Sequence, residues 1–179
     1  MLLPIKSSFC LLMGVLGLVM GVSSPARAEG AAPARIEVQV SQAQRAVLTV
    51  AGPTGARSFS LAELEAIGVY RVNTSTFWAG EEGSFEGPLL ADVLERAGLK
   101  DAPTIRISAM DGFSQLMPRE DWLRWPILLA TRHRGEPMSV RNKGPLRIIY
   151  PRDMDPVLKE PSYRLRWVWL TSRIEAGVQ

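Results

Sequence analysis

The sequence predicts an α+β fold: mixed β-sheets carrying a few short helices. Short runs of β-branched residues recur between Gly, Pro and Asn turn signals, and only a few stretches keep a helical period. Strand and helix do not alternate regularly, so a parallel sheet of repeated βαβ units is not expected. With 179 residues, 46% of them hydrophobic and 22% charged, the chain suits one domain with its own core rather than a two-domain enzyme.

Residues 1–28 read as a signal peptide. Lys6 precedes an apolar run from Phe9 to Met20, and Ala26-Arg27-Ala28 has the small-x-small form that signal peptidase cuts, which places cleavage after Ala28. Twelve apolar residues are short against the roughly 20 needed to span a bilayer. The expected location is the periplasm, with no membrane insertion after cleavage. Cys10, the single cysteine, departs with the leader and leaves no thiolate for a metal or an electrophile. Removing Lys6 and Arg27 lowers the formal charge from +3 to +1, a balance that gives no support to nucleic-acid binding.

Residues 29–44 form an N-terminal extension with a first strand over Ile36 to Val40, and residues 45–179 form the domain proper. Val47 to Val50 is a second strand, followed by a turn between Gly52 and Gly55. Ser60 and Glu63 have capping-box spacing and start a helix through Leu61, Leu64 and Ile67 that stops at Gly68. A strand from Val69 to about Phe77 follows. Gly87-Pro88 opens a second helix with Pro88 at its first position, and Leu89, Leu90, Val93, Leu94 and Ala97 form a core stripe up to Gly98. Thr104 to Ala109 and Phe113 to Met117 make a hairpin around Asp111-Gly112. One or two helical turns span Pro118 to Trp125. Strands then run over Ile127 to Thr131, Leu146 to Tyr150, and through Trp167 and Trp169 to Ile174, with a turn near Gly135-Glu136-Pro137.

Residues 132–179 hold ten basic and five acidic groups, a candidate anion-binding face or simply solvated surface. His133 lies between Arg132 and Arg134, whose charges should depress its pKa, and it reads as a surface residue at a strand end rather than a catalyst. No Gly-rich phosphate loop, activated serine or metal-ligand spacing is present. Aromatic and polar residues instead gather at predicted turns: Trp78 beside Thr76, Asp111 beside Phe113, the loop from Arg141 to Lys143, and Tyr150 before Pro151. On a strand, Trp167 and Trp169 share a face; one is assigned to the core and the other is left open.

The segments Phe59-Ser60-Leu61, Phe85-Glu86-Gly87-Pro88, Ala109-Met110-Asp111-Gly112-Phe113 and Lys143-Gly144-Pro145-Leu146-Arg147, with Trp169 to Ile174, come in the order and approximate spacing of a known family. The chain resembles the oxidoreductase molybdopterin-binding domain of the sulfite oxidase superfamily over about residues 45–176. The resemblance implies an α+β domain of mixed sheets with a pterin in a loop-lined cleft. Catalytic members ligate molybdenum through a cysteine after the strand of Val69 to Phe77, where this chain reads Asn73-Thr74-Ser75-Thr76-Phe77-Trp78. A neutral hydroxyl is a poor substitute for a soft, charged sulfur.

A short, exported, cysteine-free variant looks like periplasmic pterin-binding sensors that work with inner-membrane cyclic-di-GMP enzymes. The implied partners are a small-molecule pterin and the periplasmic domain of an inner-membrane signalling protein. Implied pterin contacts are stacking on Trp78 or Tyr150, a carboxylate from Asp111 first or Glu86 second on the amino-pyrimidinone edge, Arg141 and Lys143 on ligand oxygens, Thr76 lining the cleft, and Phe113 and Trp169 as further binding residues. Asp111 equally reads as a turn residue capping its own backbone. No metal ligand is predicted, while molybdopterin remains the alternative cofactor in an oxidoreductase that lacks the cysteine. A third reading is an interaction module whose cleft is only structural.

Overall fold

A computed structural model describes residues 32–53 and 55–177. The predicted leader and Cys10 lie outside the described residues. Among the described residues no helix is long and apolar enough to cross a membrane. The mixed-sheet α+β class read from the sequence is the class observed.

The first five-stranded sheet contains β1 (Ala34–Ile36), β4 (Val69–Thr74), β5 (Gly83–Gly87), β9 (Arg132–His133) and β10 (Glu136–Pro137), in the order β1-β4-β5-β9-β10. The second contains β2 (Ala46–Gly52), β3 (Gly55–Ser60), β6 (Thr104–Ala109), β7 (Ser114–Pro118) and β12 (Thr171–Ala176), in the order β3-β2-β12-β6-β7. Within it β12 runs parallel to β2 and antiparallel to β6, so the last strand closes the sheet between two early ones. A pair of antiparallel strands, β8 (Leu128–Ala130) and β11 (Arg147–Ile149), is buried at every position.

Local signals account for the helices. Helix α1 (Leu61–Ile67) begins with a complete capping box: the Ser60 hydroxyl accepts from the Glu63 amide at 3.2 Å while the Glu63 carboxylate accepts from the Ser60 amide at 2.8 Å. Helix α2 (Leu90–Arg96) packs Leu90, Val93 and Leu94 into the core, as its stripe predicts, while Leu89 of that stripe becomes the N-cap and is only partly buried. Helix α3 (Arg119–Arg124) supplies the expected turn or two after Pro118. Strand β6 alternates half-exposed Thr104, Arg106 and Ser108 with buried Ile105, Ile107 and Ala109, so one face joins the core.

Several boundaries differ from the sequence expectation. Strand pairing at the N-terminus stops at Ile36, because the following backbone bonds to side chains instead: the Ser41 amide donates to Glu65 at 2.7 Å and the Gln39 carbonyl accepts from Arg132 at 2.8 Å. Pro88 precedes α2 rather than opening it. Its carbonyl accepts from the Leu129 amide at 3.0 Å and the Leu90 amide donates to Ile127 at 2.8 Å, which ties residues 88–90 to the chain entering β8. Strands β3 and β5 were not expected at all. The final strand begins only at Thr171, since Pro161–Arg166 form a 3-10 helix and Trp167 to Leu170 follow as irregular chain.

Candidate functional site

The loop after β4 and the irregular chain before β12 meet at a cleft of about 430 Å³, lined by Trp78, Asp111, Phe113, Arg164, Leu165, Trp167 and Trp169. Each wall is held by identifiable bonds. Thr76 Oγ1 donates to the Trp78 carbonyl at 2.8 Å and accepts from the Trp78 amide at 3.1 Å, locking a tight turn that presents the indole. Asp153 anchors the loop from behind by accepting from the Ser75 amide at 2.5 Å and the Ser75 hydroxyl at 2.6 Å. Partial burial works to raise the Asp153 pKa, but the two Ser75 bonds and the charges of Lys159 and Arg152 outweigh it and hold the carboxyl below its usual range.

The opposite wall depends on two residues in the left-handed region that are not glycine. Lys143 has φ 64° and Leu170 has φ 51°, and the Leu170 amide donates to the Lys143 carbonyl at 3.1 Å. This link sets the direction of the chain carrying Trp169. The Lys143 ammonium sits 3.9 Å from the Trp169 ring centroid and 5.7 Å from that of Trp78, a cation-π bracket between the two walls.

Behind the indoles lies a charge cluster. Arg147, only 2% exposed, donates to Glu81 at 3.0 Å, and Lys143 also pairs with Glu81. Burial lowers the Arg147 pKa to about 10, and it lowers that of Lys143 as well, with the Arg147 charge adding to the effect. Two cations thus share one carboxylate. Among the described residues, the Arg147 Nε and the indole N–H groups of Trp167 and Trp169 are buried without a hydrogen-bond partner. Such groups are costly to leave unpaired, and here all three are donors.

The structure brings Trp78, Asp111, Phe113 and Trp169 of the sequence-predicted residues into one lining, with Lys143 against Trp169 and Thr76 supporting Trp78. Asp111 is exposed on the hairpin between β6 and β7, and its Oδ1 accepts from the Phe113 amide at 3.0 Å, which is the turn role. Its Oδ2 makes no protein hydrogen bond among the described residues.

Three predicted residues lie elsewhere. Tyr150 is fully buried beneath Trp167, its ring 6.2 Å away and inclined by 23°, because its hydroxyl is drawn inward to Asp121 at 2.6 Å. Glu86 is 2% exposed and bonded to Arg71 at 2.9 Å. It borders a separate depression with Asn73, Ser84 and Arg134. Arg141 is exposed on the 3-10 turn Val140–Asn142 and takes no part in the lining.

Trp167, 3% exposed, takes the core place expected for one of the pair, and Trp169, on which the sequence made no choice, is half-buried; both sit on an irregular segment rather than a strand. His133 is not the simple surface residue expected. It lies half-buried in β9, stacked on Phe85 at 4.4 Å and 6°, and desolvation first, then Arg134 and Arg147, lower its pKa. Arg147, Glu81, Arg164 and Leu165 escaped the sequence reading. A lone cation inside the apolar run Leu146 to Ile149 was the available signal for Arg147. The other three carried none.

Comparison with known proteins places this geometry. Residues 70–154 match the family described as "Oxidoreductase molybdopterin binding domain". Over 81 residues, 45% of this chain, the sequence is 31% identical to the "Uncharacterized oxidoreductase YuiH" of Bacillus subtilis strain 168. The aligned stretch covers 41% of that relative's length. The matched segment runs from β4 through the loop of Trp78, the Asp111 hairpin and Arg147 to Met154, and it therefore holds one wall of the cleft and the charge cluster behind it. The chain is similar to the oxidoreductase molybdopterin-binding domain family over residues 70–154, just under half of its length.

Proposed function

We propose that the chain is a periplasmic pterin-binding protein that reports ligand occupancy to the periplasmic domain of an inner-membrane sensor, such as a cyclic-di-GMP enzyme. The observation that carries the binding step is the set of unpartnered donors, Trp167 Nε1, Trp169 Nε1 and Arg147 Nε, at and behind an aromatic cleft. A pteridine offers a flat ring to stack and ring nitrogens and a carbonyl to accept. Stacking on Trp78 or Trp169 should contribute about 1 to 3 kcal/mol, as for bases on aromatic side chains. Asp111 Oδ2 is placed at the rim to accept from an amino-pyrimidinone edge, a charge-assisted contact.

The organic part of molybdopterin fits this donor set, whereas direct protein ligation of its metal does not. Thr76, in the stretch where a thiolate ligand is expected, is a neutral hydroxyl already committed to both backbone groups of Trp78. The second reading, a periplasmic molybdopterin-dependent oxidoreductase, is favoured by the name of the Bacillus relative. When bound, that cofactor supplies redox chemistry at its metal. The residues of this chain would bind and orient the pterin and keep it dry against the three indoles.

Anaerobic calorimetric titration with a tetrahydropterin tests the proposal. Saturable one-to-one binding at micromolar or tighter affinity is expected. Arg147→Leu should weaken it about tenfold, with Lys143 still pairing the Glu81 carboxylate that the substitution deprives of one partner, and thermal melts report the accompanying loss of stability. No heat at any concentration would overturn the pterin reading. Stoichiometric molybdenum in protein from a cofactor-competent host would favour the oxidoreductase instead. The signalling step is tested by membrane pull-down with and without pterin, and recovery of no inner-membrane protein in either case would remove it.

A further inference from the structure

A line of aromatic rings leaves the cleft and crosses the core. Trp169 and Trp78 have centroids 4.6 Å apart, Trp78 and Trp167 are 6.2 Å apart, and Trp167 stacks on Tyr150 at 6.2 Å. Beyond Tyr150 the line forks to Trp125 at 6.4 Å and to half-buried Tyr163 at 6.0 Å. Trp125 in turn lines a depression of about 260 Å³ beside α3, so the rings join two separate surface hollows. Apart from Tyr150, every ring between cleft and second hollow is an indole, and all of them can lose one electron to an oxidised neighbour.

Packing alone does not explain the middle of the line. A phenylalanine would fill the volume of Tyr150, yet its hydroxyl donates at 2.6 Å to Asp121, a carboxylate only 3% exposed. Arg166 grips both oxygens of that carboxylate at 2.8 and 2.7 Å. Burying such a pair has a desolvation cost that apolar residues would avoid. Burial first, then the Asp121 charge, push the Tyr150 phenol well above its usual range, so it holds its proton at rest. Oxidation reverses that preference, because a phenol radical cation is a strong acid, and the acceptor is already in place.

We propose that Trp169, Trp78 and Trp167 form a one-electron relay that drains an oxidising equivalent from the cleft to Tyr150, where it is held as a neutral phenoxyl radical with the proton on Asp121. The oxidant is a diffusible inorganic radical strong enough to oxidise an indole, such as the carbonate radical anion, arriving at the open cleft. The relay therefore does not depend on the pterin reading. The radical anion takes one electron from Trp78 or Trp169 and leaves as carbonate. The indole vacancy is filled from Trp167, and that of Trp167 from Tyr150. As the last electron leaves, the Tyr150 O–H bond breaks and the proton passes to Asp121, leaving a neutral radical and a neutral acid beside Arg166. One electron from a small-molecule thiol or ascorbate, entering through Tyr163, and return of the proton from Asp121 complete the cycle.

Pulse radiolysis of the full chain with the azide radical, which oxidises indoles without any pterin, tests the relay. The indolyl absorption should decay in step with growth of the phenoxyl absorption, at a rate independent of protein concentration. Tyr150→Phe should abolish most of the phenoxyl signal, Tyr70→Phe should retain it unchanged, Tyr163→Phe should retain it but slow its quenching by ascorbate, and Asp121→Asn should slow conversion about a hundredfold through loss of the proton acceptor. Circular dichroism reports whether each variant folds; should Tyr150→Phe fail, Trp167→Phe, which keeps a ring but not an oxidisable one, must lower the rate. Phenoxyl growth undiminished in Tyr150→Phe, or a rate that scales with protein concentration, would overturn the relay whatever the pterin titration shows.

Discussion

His133 and Phe85 are cross-strand partners whose rings lie flat on each other, with the imidazole Nε2 buried and unpartnered among the described residues. Desolvation, then the charges of Arg134 and Arg147, lower the His133 pKa beneath its ordinary value of 6.5. As pH falls below 6.5 the unfolded chain takes up the proton first, so stability drops with falling pH until the folded-state pKa is passed. His133→Phe keeps the stack and removes the proton. Denaturant midpoints measured from pH 8 to pH 5 should decline less steeply in the variant than in the parent. A histidine between two arginines announces the direction of this shift, but its larger cause, burial against Phe85, needs β5, which the sequence did not disclose. The same limit governs the cleft. Trp78, Asp111 and Phe113 stand at turns and were legible there, whereas the turn before Pro151 gave no hint that Tyr150 points inward to Asp121.

At the scale of elements, what is local was readable and what is paired at a distance was not. Helix α1 is written in Ser60 and Glu63, whose reciprocal bonds satisfy two amides of the first turn. Ser60→Ala should lower stability by about 1 kcal/mol, read as a shift of the urea midpoint at unchanged slope. The hairpin of β6 and β7 was likewise legible from Asp111-Gly112. Strand β5, Gly83 to Gly87, has two glycines and a glutamate among five residues, so propensity argues against it; it is a strand because β4 and β9 flank it in register. Gly87 also lets β5 approach β8, since a Cβ there would collide with the Leu129 carbonyl. Trp167 and Trp169 misled for the opposite reason: their alternation imitates a strand, while Leu170 at positive φ ends any pairing there.

For the molecule as a whole, Glu65 is the knot that joins the N-terminal segment, α1 and β9. Its carboxylate accepts from Arg132 at 2.9 Å on each oxygen, from the Ser41 amide at 2.7 Å and from Thr131 at 2.9 Å. Desolvation works to raise its pKa, but the Arg132, Ser41 and Thr131 bonds outweigh this and leave it below its usual value. Its contribution is therefore complete above pH 4.5 and is lost as pH falls through the lower folded-state value. Glu65→Gln should cost about 3 kcal/mol at neutral pH by stranding Arg132, and should flatten the acid limb of a stability profile measured by thermal melts.

The left-handed pair Lys143 and Leu170 has a consequence for how such a protein evolves. A side chain in that region costs about 1 kcal/mol relative to glycine, and Leu170 offsets that cost by packing its half-buried side chain against the core. Leu170→Gly loses this packing and adds freedom to the unfolded chain, so it should lower the melting temperature while also freeing the chain that aims Trp169 and loosening ligand binding. Heat resistance and recognition then pull this position the same way. A library of variants sorted for thermal survival alone would keep a large side chain at residue 170, and with it the aim of the cleft.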